Sequence, residues 1–171
     1  MVLGLGKRRA FDQVVRAYAG DLFRFAYWLC GDRFVAEDVV QESFTRAWRN
    51  WDQLRDKSAP KAWLMTIVRN EHARLYERKR LELVDAAPED LAIAAEGNAL
   101  ELMELEQVID QLPLSLREPF LLQTLGGFSC AEIAAQLETT EGAVMVRLTR
   151  ARQALRGLLE TATGQVAGGA R

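Results

Sequence analysis

Apolar residues recur every three or four positions through the first half of the chain. Val14, Tyr18, Leu22, Phe25 and Leu29 fall on one side of a helix that ends near Gly31, and Val39, Val40, Phe44 and Trp48 repeat the spacing in a second helix from Val35 to Asn50. The other side of that second helix carries Asp38, Gln41, Glu42, Thr45 and Arg49, again at helical intervals, so it presents a continuous polar stripe. After Trp51 the stretch DQLRDKSAP has the composition of a loop, and Pro60 suits the first turn of a third helix, where an amide has no helical partner to lose. This helix, Pro60 to Arg80, is expected to bury Trp63 or Leu64 with Ile67 and Val68, and to turn Asn70, Arg74 and Arg78 outward at four-residue steps. The three helices predict one compact unit over residues 1–80.

Residues 81–97, LELVDAAPEDLAIAAEG, sustain no period and read as a linker with at most a short helical turn. A second unit, residues 98–171, starts at Asn98, which with Glu101 resembles a capping box; Leu102, Leu105, Val108, Ile109 and Leu112 give it an apolar face that Pro113 stops. Ser115 with Glu118 repeats the cap signal and opens a helix through Phe120 and Leu121 to the Gly126-Gly127 break, with Pro119 in its first turn. Ser129 with Glu132 is a third cap, starting a short helix through Leu137. After the turn Glu138, Thr139, Thr140, a further helix buries Val144, Leu148, Ala151 and Leu155, and holds Arg147, Thr149, Arg150 and Arg152 on or beside its solvent side. Ala134 supplies the small residue that a steep helix crossing needs. This is helix-turn-helix patterning, in which the second helix enters the DNA major groove and its arginines reach phosphates or guanine edges. An ordinary helical hairpin with a basic outer face carries the same pattern. The expected fold is all-α, two small helical domains joined by a flexible acidic linker and followed by a disordered C-terminal tail.

At 171 residues and 19.2 kDa the chain has room for one ordinary domain or two small ones, which excludes a large catalytic scaffold. Its 49% hydrophobic and 27% charged residues fit a folded protein, and charges interrupt every apolar run well before 18 residues, so the expectation is a cytoplasmic protein without membrane insertion. The net charge of −2 hides an uneven distribution. Residues 61–80 hold six Lys or Arg against two acids, residues 141–160 hold four against two, and residues 81–110 hold nine acids with no Lys or Arg. Two basic islands around an acidic bridge suggest polyanion contact at two places, although solvated helix faces have the same composition. Cys30 and Cys130 stand 100 residues apart in helical patterns, His72 is the only histidine, and no Gly-rich phosphate loop occurs. Packing roles for the cysteines follow, with no metal, cofactor or catalytic residue expected. A helical hydrolase built on a carboxylate metal site is disfavoured by Arg69 and Arg74 beside His72.

Taken in order, the segments resemble the extracytoplasmic-function (ECF, group IV) sigma factors of bacterial RNA polymerase. AEDVVQESFTRAWRN (Ala36 to Asn50) is similar to the family's core-polymerase-binding helix and KAWLMTIVRNEHARLYERKR (Lys61 to Arg80) to its promoter-melting helix. IDQLPLSLREPFLLQTLGGFSCAEIAAQLETTEGAVMVRLTRARQAL (Ile109 to Leu155) is similar to its carboxy-terminal promoter-binding domain. The resemblance implies that Asp38, Gln41 and Glu42, with Thr45 and Arg49 on the same stripe, dock on the coiled-coil clamp of the largest polymerase subunit. It implies capture of unpaired minus-ten bases by the loop Asp56 to Pro60, including Lys57 and Ser58, and by Lys61, Asn70, Arg74 and Arg78. Trp48, Trp51 and Trp63 lie beside this surface and are expected in the core rather than stacked on bases. Thr140, Glu141, Met145, Val146, Arg147, Thr149 and Arg150 would meet the duplex minus-thirty-five element, with Met145 and Val146 standing where relatives carry a lysine and a serine. The acidic linker is either a soluble spacer or a mimic of nucleic acid near the RNA path. The implied partners are core RNA polymerase, promoter DNA both duplex and single-stranded, and an anti-sigma factor that holds the protein inactive until a stress or envelope signal. The alternative is a stand-alone helix-turn-helix regulator binding duplex operator DNA as a dimer, which would bind tightly without polymerase.

Overall fold

The structure, a computed structural model, describes residues 2–56, 59–83 and 106–168, with side chains described over 6–56, 59–79 and 106–160. Every regular element among the described residues is helical, and the chain divides into two units, Met1–Ala94 and Ala95–Arg171.

In the first unit α1 (Val2–Cys30), α2 (Arg33–Arg49) and α3 (Pro60–Leu83) pack together, with a 3-10 turn at Trp51–Gln53 after α2. The break between α1 and α2 is chemically defined. Gly31 takes a left-handed φ of 68°, which a side chain would disfavour, and the Asp32 carboxylate then caps α2 by accepting from the Val35 amide at 2.8 Å. Leu22, Phe25 and Ala26 of α1, Ala36 of α2, and Leu64, Met65 and Val68 of α3 are fully buried.

The buried side of α2 is not the one its large residues predict. Phe44 is half-buried and Trp48 is 39% exposed, whereas Ala36, Val39, Val40, Ser43 and Ala47 form the inner face. Small residues at positions 36, 43 and 47 let neighbouring helices approach closely, and Phe44 and Trp48 stand one 100° step around the helix from that seam. The buried Ser43 hydroxyl donates to the Val39 carbonyl at 2.6 Å, so its burial leaves no unmet donor. Ile67 and Trp63 are half-buried as well, the third helix centring on Leu64, Met65 and Val68. That helix continues past Arg80 to Leu83, so the first three residues expected in the linker are helical; residues 84–105, with the Asn98–Glu101 cap, Leu102 and Leu105, lie outside the described residues. Both cysteines are free thiols, and burial pushes the Cys30 thiol up to about 12, which keeps it protonated and unreactive.

The second unit is built from α4 (Leu114–Thr124), α5 (Cys130–Gln136) and α6 (Glu141–Gly168), preceded by a helical stretch over residues 106–110. The start of α4 and the place of Pro119 within it are corrected here. Pro113, not Ser115, stands at the N-terminus of α4, and its carbonyl accepts from the Leu116 and Arg117 amides at 2.9 Å. The helix therefore begins a residue before Ser115 and places Pro119 beyond its first turn, where the ring removes an amide that would have met the Ser115 carbonyl. Arg117 fastens the junction: its guanidinium donates to the carbonyls of Leu112 and Asp110 and lies 3.4 Å from the Asp110 carboxylate. Burial raises the Asp110 carboxyl, against the pull of the Arg117 charge. At the far end of α4, Gly127 is left-handed at φ 69°, and the amides of Gly127 and Phe128 reach back to the carbonyls of Gln123 and Leu122. A Cβ on Gly126 would sit 2.5 Å from the Phe128 ring and 2.6 Å from the Leu122 carbonyl oxygen, so only glycine fits there. The last helix runs to Gly168.

Candidate nucleic-acid interface

Each unit carries its own candidate face. On α2 the stripe Asp38, Gln41, Glu42, Thr45 and Arg49 is exposed along its whole length. Phe34, 77% exposed, heads the same stripe one turn before Asp38. Glu42 is already engaged, its carboxylate 3.1 Å from Arg46. Arg46 in turn lies 2.6 Å from Glu71 of α3, and the same Glu71 oxygen accepts from Arg74 at 3.0 Å. Glu71 is buried, so this four-member chain joins α2 to α3 through a carboxylate balanced by two guanidiniums. Neither Arg46 nor Glu71 stands out in the sequence. Each half reads as a pair within one helix, and only the packing of α2 on α3 links them.

The minus-ten set separates in space. Asn70, Arg74 and Arg78 are exposed and follow one another around α3 within 80°, although Arg74 is tied to Glu71 and Asn70 accepts from Arg69 at 3.3 Å. Lys61 lies half a turn away, half-buried, with its ammonium 2.8 Å from Asp21 of α1. Its hydrogen bond, backed by the charges of Lys61 and Arg24, holds the Asp21 carboxyl below its ordinary range. Lys57 and Ser58 lie outside the described residues. The tryptophans form an aromatic cluster around Phe11 of α1, which stands edge-on to Trp48 and Trp51 at 5.2 Å, with Trp51 edge-on to Trp63 at 6.1 Å. Trp51 is buried, as expected; Trp48 is on the rim, with the Lys7 ammonium 5.0 Å above its ring.

In the second unit α5 opens with a complete capping box. The Ser129 hydroxyl accepts from the Glu132 amide, the Glu132 carboxylate accepts from the Ser129 amide at 2.8 Å, and that backbone donor, with the Ser129 hydroxyl, keeps the Glu132 carboxyl below its usual range. Ile133 and Ala134 are buried against α6. The turn after Leu137 uses a left-handed Glu138 at φ 50°, the Thr139 amide returns to the Ala134 carbonyl at 3.0 Å, and the Thr140 hydroxyl accepts from the Ala143 amide at 3.2 Å to start α6. Val144, Leu148, Ala151 and Leu155 are buried on the inner arc. Thr140, Glu141, Met145, Val146, Thr149 and Arg150 are exposed and Arg147 is half-exposed, so the expected minus-thirty-five residues lie together at the N-terminal half of this helix. Arg152 is bonded to Gln123 of α4 and serves to hold α6 in place.

Among the described residues no group of three or more His, Cys, Asp or Glu side chains is placed to hold a metal, and no helix is long and apolar enough to cross a membrane.

Comparison with known proteins agrees with this two-part layout. Residues 14–82 match the family model of sigma-70 region 2 and residues 102–155 that of sigma-70 region 4. The ECF RNA polymerase sigma factor EcfG of Rhodopseudomonas palustris is 34% identical over 149 residues, covering 85% of this chain and 82% of the relative. The ECF sigma factor SigL of Mycobacterium tuberculosis is 34% identical over 150 residues, covering 84% and 85%. Among solved structures, the sigma factor RpoE in complex with the anti-sigma factor NepR from Bartonella quintana superposes with a TM-score of 0.73 at 32% identity, covering 88% of this chain and 96% of that one. CnrH in complex with the cytosolic domain of CnrY gives 0.63 at 30% identity, covering 90% of each. With a capped helix-turn-helix in one unit, an exposed polar stripe in the other and relatives of this identity along most of its length, the chain belongs to the ECF RNA polymerase sigma factors.

Proposed function

We propose that this chain confers promoter specificity on core RNA polymerase by dividing the work between its units. The stripe on α2 docks on the polymerase, the exposed side of α3 holds opened promoter DNA, and α6 reads duplex DNA upstream. The observation that carries the reading is the pairing of a carboxylate and amide stripe in one unit with an outward-facing, arginine-bearing recognition helix in the other. A stand-alone regulator would need the second and has no use for the first. The protein itself catalyses nothing; nucleotidyl transfer belongs to the polymerase. It works in the cytoplasm and is held inactive by an anti-sigma factor, the latter supported by the likeness to a sigma factor solved in complex with the anti-sigma factor NepR.

The α3 geometry sharpens the test for melting. Arg78 is exposed and makes no ion pair among the described residues, whereas Arg74 also braces Glu71. Arg78→Ala in the holoenzyme is expected to leave polymerase binding intact and to lower open-complex formation, read as weaker permanganate reactivity of the opened strand. Arg74→Ala is expected to lower open-complex formation and also to destabilise the first unit by about 1–3 kcal/mol, since a buried carboxylate loses one of its two partners. Wild-type permanganate footprints with Arg78→Ala would contradict this placement of the melted strand.

A further inference from the structure

Met145 and Val146 are large apolar side chains left 57% and 51% exposed on a helix otherwise laid out for a polyanion. With the buried arc of α6 running through Val144, Leu148, Ala151 and Leu155, steps of 100° place Val146 almost opposite it, in line with Gly142, Thr149 and Gln153, with Met145 on the flank. Met145, Val146, Thr149, Arg150 and Gln153 line a shallow depression of about 320 Å³. Gly142 sits on the outward face one turn before Val146. A Cβ there would meet nothing within 4 Å, and its backbone is ordinary right-handed helix, so neither packing nor conformation within the chain calls for glycine. A bare backbone at that point lets another molecule come close.

The surroundings decide what kind of molecule fits. Arg150 and Arg147 stand to one side of Val146, about 40° and 100° around the helix, with Met145 to the other, and the N-terminus of α6 adds the positive end of the helix dipole. Such a face suits a polyanion that offers small, separate apolar groups rather than a continuous apolar surface. On the major-groove edge of duplex DNA the thymine C5 methyl is that group. We infer that Met145 and Val146 read thymine methyl groups in the upstream promoter element, so that this chain selects sequence there partly by apolar contact. The inference rests on the placement of α6 in the major groove proposed above.

The test uses holoenzyme assembled from the full chain and core polymerase. Its best duplex is selected from a random pool, and each upstream thymine is then replaced in turn by uracil, which removes only the methyl group. Wild-type holoenzyme is expected to lose affinity by about fourfold at one or two thymines, the value of one buried methyl, and to be indifferent at the others. The double variant Met145→Ala, Val146→Ala is expected to bind the thymine duplex more weakly and to treat uracil and thymine alike. Wild-type affinity unchanged by uracil at every position overturns the inference, and loss of anti-sigma binding in the double variant would then mark the patch as a protein docking site. Arg147→Ala with Arg150→Ala separates the two levels of the argument. If this pair leaves upstream binding untouched, the placement of α6 itself fails; if it weakens binding while uracil has no effect, the placement stands and the thymine contact falls.

Discussion

Asp38→Lys is expected to weaken binding to core polymerase by about 2–5 kcal/mol while leaving the helix content of the protein unchanged. Asp38 is exposed near the head of the α2 stripe and makes no ion pair among the described residues, so its carboxylate is available to a partner and contributes nothing visible to the fold. Once desolvated against a guanidinium of the polymerase, the reversed charge loses the pair and leaves the partner's cation facing another. Glu42 is a less clean probe. It already holds Arg46 at 3.1 Å, so a lysine there would push on the Arg46–Glu71 link as well as on the polymerase. Glu42→Gln keeps the shape, removes the charge, and is expected to have a smaller effect in the same direction. Co-purification of Asp38→Lys with core polymerase at the wild-type level would contradict the assignment of this face.

Phe25→Ala is expected to act through the opposite route. Phe25 is fully buried in α1, within the helix packing that holds α2 and α3 in place. Truncating it removes the burial of an aromatic ring and leaves a cavity that the neighbouring helices only partly close. The expected loss is about 3–5 kcal/mol, against a total of about 5–15 kcal/mol for a typical domain. Urea unfolding followed by amide exchange in α1 to α3 reads this loss directly. Polymerase binding should then decline with the folded fraction, unlike Asp38→Lys, which leaves the fold intact. A Phe25→Ala protein within about 1 kcal/mol of wild type would show that the first unit is not centred on this residue.

The helices, their order and the helix-turn-helix were legible because the signals that make them are local. Periodicity, Gly31, the Ser129 cap and the glycines at 126 and 127 each act within a few residues of one another, while the Asp32 cap, equally local, was not read. What the sequence misled on was the choice between neighbouring faces. In α2 the largest residues suggest Phe44 and Trp48 as core, but close packing prefers the seam of Ala36, Ser43 and Ala47, and the large rings are left at the margin. The Ser115–Glu118 spacing imitates a cap because serine and glutamate three apart also occur inside a helix; the residue that starts α4 is Pro113. At the interfaces the exposed stripes were readable as chemistry, yet contacts between helices also restrain them. Lys61 is turned to Asp21 and Arg46 reaches Glu71, and neither pairing has a signature in sequence spacing, whereas Glu71 with Arg74 is an i,i+3 pair within α3. Phe34 was passed over although its spacing, four residues before Asp38, sets it on the polar stripe, because an aromatic is not counted among polar positions.

The most direct measurement is run-off transcription of genomic DNA by purified core polymerase with and without the purified chain. Transcripts starting at a small set of discrete promoters only when both are present, with weak DNA binding by the chain alone, are the result expected of a promoter-specificity subunit. Tight sequence-specific binding by the chain alone, with no change in where core polymerase initiates, would contradict it and describe a stand-alone regulator.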